Sequence, residues 1–281
     1  MRLQIRAMQP DEIDLALDWA AAEGWNPGLS DAVPFRAADP EGFLIGLIDD
    51  TPVAVISAVR YGADFGFIGL YIVHPEWRGQ GHGWALWQAA MARLTGRTVG
   101  LDGVVAQQDN YRRSGFALAY RQVRYQGHGH AGNPSADPAL VDLCQQPFAD
   151  LTACDRAGFP TARDAFLRAW IVQPQTRALG LREQGRLVGY GVRRACRQGF
   201  KIGPLLAETP AGAERLLAAL GADVLATDPL FLDLPACNPA AVALVARLGW
   251  QPMFETARMY AGPAPALELT RIYGVTSFEL G

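Results

Sequence analysis

The sequence predicts an α/β (α+β) protein of two tandem domains, each a mixed, mostly antiparallel sheet flanked by helices. Three observations carry this. The length of 281 residues suits two domains of ordinary size. In the first half, three strand-like runs follow one another across short turns. In the second half, the order of elements repeats in outline: helix, hairpin, helix, strand, helix, strand.

Leu3-Gln4-Ile5-Arg6 alternates as a strand does, and Pro10 with two acids opens an amphipathic stretch with Ile13, Leu17 and Ala20 at helical spacing. Trp25-Asn26-Pro27-Gly28 has turn chemistry, and a polar loop is expected to about Asp39. Phe43 to Ile48, Val53 to Arg60 and Phe67 to Val73 then read as an antiparallel meander, joined by Asp49-Asp50-Thr51-Pro52 and Gly62-Ala63-Asp64. A helix over Trp84 to Leu94 follows a glycine-rich turn. Val99 to Val105 and Phe116 to Tyr125 complete the first half as strands, giving a first domain of residues 1–126. Gly127-His128-Gly129-His130-Ala131-Gly132-Asn133-Pro134-Ser135 has the composition of a linker, drawn at 127–138; its two histidines have no acid or cysteine beside them and are read as solvated. In a second domain of residues 139–281, Arg163 to Trp170 and Pro239 to Leu248 read as helices. Arg177 to Arg182 and Leu187 to Arg193 form a hairpin around Gln184-Gly185, and Phe231 to Leu234 is a strand.

Composition excludes several classes. A net charge of -3 without a Lys/Arg cluster gives no footprint for nucleic acid. The apolar runs are too short to span a bilayer, and the first residues lack the apolar core of a signal peptide, so a cytoplasmic location is expected. Cys144, Cys154, Cys196 and Cys237 show no CxxC spacing and are expected as reduced, mostly buried thiols; no metal site is expected.

The informative segment is Tyr71-Ile72-Val73-His74-Pro75-Glu76-Trp77-Arg78-Gly79-Gln80-Gly81-His82-Gly83, where an apolar strand meets alternating glycines that open a helix. Glycines let successive amides turn inward, and a helix N-terminus adds partial positive charge, which together suit a phosphate or pyrophosphate. Arg78 adds a cation at the rim. Trp84-Ala85 stand where a P-loop needs Lys-Ser/Thr. Trp84 also occupies the third-glycine position of a dinucleotide fingerprint, and the preceding strands are antiparallel, so neither nucleotide site fits.

This segment resembles the central motif of the GNAT superfamily of N-acetyltransferases, Arg/Gln-x-x-Gly-x-Gly/Ala after a strand ending Val-x-Pro: Val73-x-Pro75-x-x-Arg78-x-x-Gly81-x-Gly83 supplies every element. The resemblance covers about residues 3 to 125, and the whole chain resembles bacterial two-domain members with a degenerate second GNAT-like domain. It implies that acetyl-coenzyme A, or another acyl-coenzyme A, is the co-substrate. The amides of Gly79, Gln80, Gly81, His82 and Gly83 would hold its pyrophosphate, and the Tyr71-Ile72-Val73 strand edge would pair with the pantetheine arm. The acceptor would be a small-molecule amine or a peptide, and a homodimer is admitted.

Tyr111-Arg112-Arg113-Ser114-Gly115-Phe116 matches the family's Tyr-x-x-x-Gly-Phe/Trp, whose tyrosine protonates the departing thiolate. Val104 stands where the family usually has Asn, eleven residues before that glycine. An alkylamine acceptor is only about 0.1% neutral or less at pH 7, so a base helps; Asp102 is the nearest candidate by sequence, with a structural carboxylate as the equal alternative. Trp25, Asn26 and Asp31 lie where the resemblance places acceptor-binding residues, loop packing and capping being the other reading. In the second half, Asn238-Pro239-Ala240-Ala241 and Gly249-Trp250 echo the end of such a domain, but Val245 replaces the acid. Gly203-Pro204-Leu205-Leu206-Ala207-Glu208, taken as the corresponding loop, has no alternating glycines. The reading is an acyl-coenzyme A-dependent N-acyltransferase, with a non-catalytic acyl-coenzyme A sensor as the alternative.

Overall fold

A computed structural model describes residues 2–129 and 137–281. The first half contains β1 (Gln4–Ala7), α1 (Glu12–Ala22), α2 (Ala32–Ala38), β2 (Phe43–Ile48), β3 (Thr51–Tyr61) and β4 (Phe65–Val73). It continues with α3 (His82–Arg93), β5 (Thr98–Val104), α4 (Gln108–Arg113) and β6 (Ala117–His128). The second half contains β7 (Leu140–Asp142), α5 (Phe148–Asp155), α6 (Asp164–Trp170), β8 (Arg177–Glu183), β9 (Arg186–Ala195) and β10 (Phe200–Ala207). After these come α7 (Pro210–Gly221), β11 (Pro229–Pro235), α8 (Pro239–Arg247), β12 (Gln251–Ala261) and β13 (Ile272–Gly274). The fold is mixed α/β, with helices flanking a mostly antiparallel sheet.

The two halves share one sheet, in the order β1-β2-β3-β4-β5-β12-β6-β11-β10-β9-β8-β7. They exchange strands at its centre. β12, from the second half, pairs with β5 over Thr256↔Val104 to Ala261↔Val99, and β6, from the first half, pairs with β11 over Pro229↔His128 to Pro235↔Gln122. β6 and β12 also pair with each other. Gly127 and His128, expected in a linker, are therefore the last residues of β6, while His130 and most of the expected linker lie outside the described residues.

The packing follows the exchange. α3 sets Leu86, Trp87, Ala90 and Leu94 on Ile56, Ile68 and Leu101, and Ala257 and Met259 of β12 complete that core. Leu216 and Leu220 of α7 and Leu244 and Val245 of α8 close the opposite end over Ile202, Leu205 and Leu232. A third cluster runs across both halves, where Phe35 of α2 stacks on Trp170 of α6 with ring centres 6.3 Å apart. α2 replaces the polar loop expected there. It has seven residues, and Pro34 is tolerated in its first turn, where the amide has no helical partner.

The segment taken as a second glycine-loop equivalent, residues 203–208, is a strand through Ala207. The true connection from β10 to α7 is only Glu208-Thr209. Thr209 caps α7 by accepting from the Gly212 amide at 3.1 Å, and Pro210 has no amide to offer, so no cradle exists at that end.

Candidate active site

β4 and β5 run parallel and pair only from Phe65↔Thr98 to Ile68↔Leu101, after which they part. The cause is a bulge in β4. Gly69 opposes Ser57 and Ile72 opposes Val55, so β4 carries one residue more than β3 across this interval. Leu70 takes φ 46°, a left-handed conformation costing a non-glycine residue about 1–3 kcal/mol. The fork opens into a cavity of about 370 Å³, lined in part by Tyr71, Ile72, Val73, Arg78, Asp102 and Tyr111.

At one end, Gly79 and Gly81 adopt φ 77° and 85°, and a Cβ at either would meet nothing within 4 Å. The backbone is turned as only glycine adopts readily, and it faces open space. Gly81 caps α3 without a side-chain hydrogen bond, leaving the first-turn amides free for a ligand. The Gln80 side chain donates back to the Glu76 carbonyl at 3.2 Å, and the His82 ring lies 5.8 Å from that of Trp77. Gly83 serves a different need: a Cβ there would sit 2.7 Å from Val73 Cγ2 and 2.8 Å from the Tyr71 hydroxyl. Arg78 is fixed between the Val73 carbonyl, to which its Nε donates at 2.9 Å, and the Glu23 carboxylate. This geometry fits a pyrophosphate-bearing acyl carrier.

Tyr111 comes from α4, and its ring lies so close to β5 that a Cβ on Gly103 would fall 2.7 Å from it. Trp87 and Phe116 pack around it at ring distances of 5.5 and 6.4 Å. Burial, with a smaller contribution from Tyr71, pushes its hydroxyl up to about 12, so it remains a proton donor at neutral pH. Burial also pushes up the Tyr71 hydroxyl.

The candidate base and acceptor residues are less uniform. Asp102 lines the cavity, yet both its oxygens are engaged. Arg258 of β12 donates to them from Nε and Nη2 at 2.8 Å each, and Gln122 of β6 adds bonds at 3.1 and 3.3 Å. Burial alone would depress the Arg258 guanidinium, but Asp102 overrides that and holds it well above its ordinary value. Trp25 lines the cavity, its carbonyl accepting from Arg124 at 2.7 Å. Asn26 and Asp31 do not line it. Asn26 bonds Gln198 through the amide nitrogen at 3.0 Å and the oxygen at 2.9 Å, and the buried Asp31 pairs with Arg194 at 2.8 Å. Both stitch the loop after α1 to β9 and the turn that follows it. Among the described residues, no group of three or more His, Cys, Asp or Glu side chains gathers as metal ligands. Cys154 and Cys196 are buried, whereas Cys144 and Cys237 are exposed, and all four are free.

Sequence reasoning missed the part of the lining that comes from the far end of the chain: Phe254 and Thr256 of β12, and Phe278 and Glu279 beyond β13. No motif surrounds them, and only the strand exchange brings them to β4 and β5. In the second half, β10 and β11 likewise pair in parallel only as far as Ile202↔Leu232. There, however, β13 fills the fork, pairing with Leu205 and Leu206 of β10, while the Val275 amide donates to the Asp233 carbonyl of β11 at 2.7 Å. Asn238 holds β13 in place by donating to the Ile272 carbonyl at 2.9 Å.

No helix is long and apolar enough to cross a membrane. Residues 11–117 match the acetyltransferase (GNAT) family, and residues 151–274 match an acetyltransferase (GNAT) domain. The chain is 31% identical over 274 residues to the holothin acyltransferase of Pseudoalteromonas sp. (strain SANK 73390), covering 96% of this chain and 92% of that one. Its fold matches that of a Pyrococcus horikoshii protein assigned as an acetyltransferase, with a TM-score of 0.84 at 23% identity over 99% of this chain and 96% of that one. A tandem GNAT protein from the clavulanic acid biosynthesis pathway gives 0.62 at 18% identity over 94% of this chain and all of that one. With a motif-bearing fork in the first half, a filled fork in the second and a relative alike over nearly its whole length, the chain belongs to the two-domain GNAT acyltransferases.

Proposed function

We propose that the protein transfers a small acyl group, acetyl foremost, from an acyl-coenzyme A to an amine by direct attack of the amine on the thioester. The observation that carries this is that a single cavity is lined by Tyr71, Ile72, Val73 and Arg78 on the side of the glycine turn, and by Tyr111 and Trp25. The amides from Gly79 to Gly83 would hold the pyrophosphate, and Arg78 would stand beside it as a fixed cation. Tyr111 gives its proton to the sulfur as the C–S bond breaks, which suits a hydroxyl that burial keeps protonated.

Asp102 is better read as a clasp on β12 than as a base, because both oxygens already accept from Arg258. Of the two residue sets expected to meet the acceptor, Trp25 remains a wall of its site, whereas Asn26 and Asp31 join the two halves. The expected stoichiometry is one acyl-coenzyme A per chain, at the first fork. The second half contributes the acceptor side, which makes the acceptor site a product of both halves.

The test is a screen of acetyl-coenzyme A turnover, read as free thiol released, against alkylamines, aromatic amines, amino acids and peptides. Calorimetry with coenzyme A runs alongside. Acyl transfer to at least one amine and a single binding site are expected. No transfer to any amine by a chain that binds coenzyme A, or two equivalent sites, would overturn the reading.

A further inference from the structure

Three carboxylates line the cavity, Glu23, Asp102 and Glu279. Two are spoken for: Glu23 pairs with Arg78 and Asp102 is clamped by Arg258. Glu279 is different. It is 3% exposed, and its Oε2 is buried without a hydrogen-bond partner. A buried carboxylate oxygen left bare costs stability unless a ligand completes it.

Its position is tightly determined. The segment after β13 returns to the first half, where the Tyr61 hydroxyl donates to the Leu280 carbonyl at 3.2 Å and the Leu280 amide donates to Ser277 Oγ at 3.1 Å. Phe278 rests on the Arg124 guanidinium, 5.2 Å from ring centre to Cζ. At the start of the β4 bulge, any Cβ on Gly69 would overlap the Glu279 carbonyl, so this glycine admits the segment to the mouth of the fork.

The charged groups within electrostatic range come from several elements. Arg124 of β6, Arg194 of β9 and Lys201 of β10 all act on Glu279, and Asp31 and Asp233 stand among the same cations, with the Cys196 thiol beside them. Arg124 is held by Asp233 at 2.6 and 2.7 Å, and Arg194 by Asp31 at 2.8 Å. These pairings occupy the other two acids of the cluster and leave Glu279 as the one facing the cavity. Around it the walls are Trp25, Leu70, Phe254 and Phe278.

Building on the acyl transfer proposed above, we infer that Glu279 receives the acceptor: its carboxylate accepts the N–H of an amine carried on an apolar body and takes the proton that the nitrogen sheds. As the C–N bond forms, the nitrogen becomes acidic and passes a proton to Glu279. As the C–S bond breaks, the sulfur takes a proton from Tyr111. Solvent then returns one proton from Glu279 to Tyr111, so amine and thioester become amide and free thiol with atoms and charge balanced. The second half thus supplies the base for chemistry whose acid lies in the first.

The test compares wild type, Glu279→Gln and Glu279→Asp, using acetyl-coenzyme A and whichever amine of the panel the wild type acylates fastest. Glu279→Gln keeps the shape but not the proton affinity. Its kcat/KM for the amine is expected to fall roughly 10²- to 10⁴-fold, with coenzyme A affinity by calorimetry unchanged. The acidic limb of its pH–rate profile is expected to disappear, and Glu279→Asp is expected to regain part of the rate. A purely structural role would move only the melting temperature. Wild-type kinetics and an unaltered pH profile in Glu279→Gln would overturn the inference alone, whereas a wild type that acylates no amine would overturn the reading beneath it.

Discussion

Arg258 and Asp102 face each other across the seam between β12 and β5, joined by two parallel hydrogen bonds of 2.8 Å. Arg124 and Asp233 repeat the arrangement across β6 and β11, at 2.6 and 2.7 Å. Asp102 follows the last paired residue of β5, Leu101, and Asp233 follows the last paired residue of β11, Leu232. Each exchanged strand thus carries an arginine that grips the aspartate at the other half's fork.

Breaking one clasp is expected to cost stability more than chemistry. Asp102→Asn leaves the Arg258 charge buried and unpaired, which typically destabilises by about 3–5 kcal/mol. Asp102→Asn combined with Arg258→Met should recover part of that loss, because no bare charge then remains. Denaturant unfolding of the two variants and the wild type measures this. A stable Asp102→Asn with abolished turnover would instead restore Asp102 as the base.

Tyr111→Phe is expected to lower kcat roughly 10²- to 10⁴-fold while coenzyme A affinity stays near wild type. Because burial raises this hydroxyl to about 12, the wild-type rate should not decline through loss of the Tyr111 proton until the pH nears that value. A pH–rate profile on both proteins checks the assignment, and an unaffected rate in Tyr111→Phe would mean that another donor protonates the sulfur.

Gly81→Val is expected to abolish coenzyme A binding. The position needs φ 85°, which a β-branched residue resists, and the side chain would project into the open space beyond the turn. Calorimetry on the folded variant measures the loss; unchanged affinity would show that the turn is not the pyrophosphate site.

Gly69→Ala is expected to separate the two substrates. Its Cβ collides with the Glu279 carbonyl, displacing the segment that carries Phe278 and Glu279, while the turn from Gly79 to Gly83 is untouched. KM for the amine should rise at least several-fold with coenzyme A affinity retained. Equal effects on both substrates would mean that the collision spreads through β4.

A chain cut after Gly129 is expected not to fold as a soluble unit. It would lose β12, which covers one side of β5 and contributes Ala257 and Met259 to the core under α3. A bare strand edge beside an open core favours aggregation. Adding residues 137–281 as a separate chain should restore solubility. A well-folded first half alone would show that the exchange is dispensable.

The acyl-carrier end of the site was legible in the sequence because its chemistry is local. Val73 to Gly83 are contiguous, glycines mark where the backbone needs positive φ, and a strand-to-helix junction suffices to aim the amides. Tyr111 was legible for the same reason, through its spacing to Gly115. The acceptor end was not. Asn26 and Asp31 looked like acceptor residues by their place after α1, but side-chain partners decide a polar residue's role. Theirs, Gln198 and Arg194, lie more than 160 residues away.

The sequence by itself determined the fold class, the glycine turn and the acid, since each depends on period or spacing within a short stretch. Tertiary structure alone decided which strands close each half, which carboxylate is free and why the second fork holds no ligand. β6 and β12 both fit the centre of the sheet, and no local pattern says which fork each will flank. That choice is made by long-range pairing, buried arginine–aspartate contacts and the space left by Gly69, and it sets Glu279 opposite the turn that the sequence had already marked.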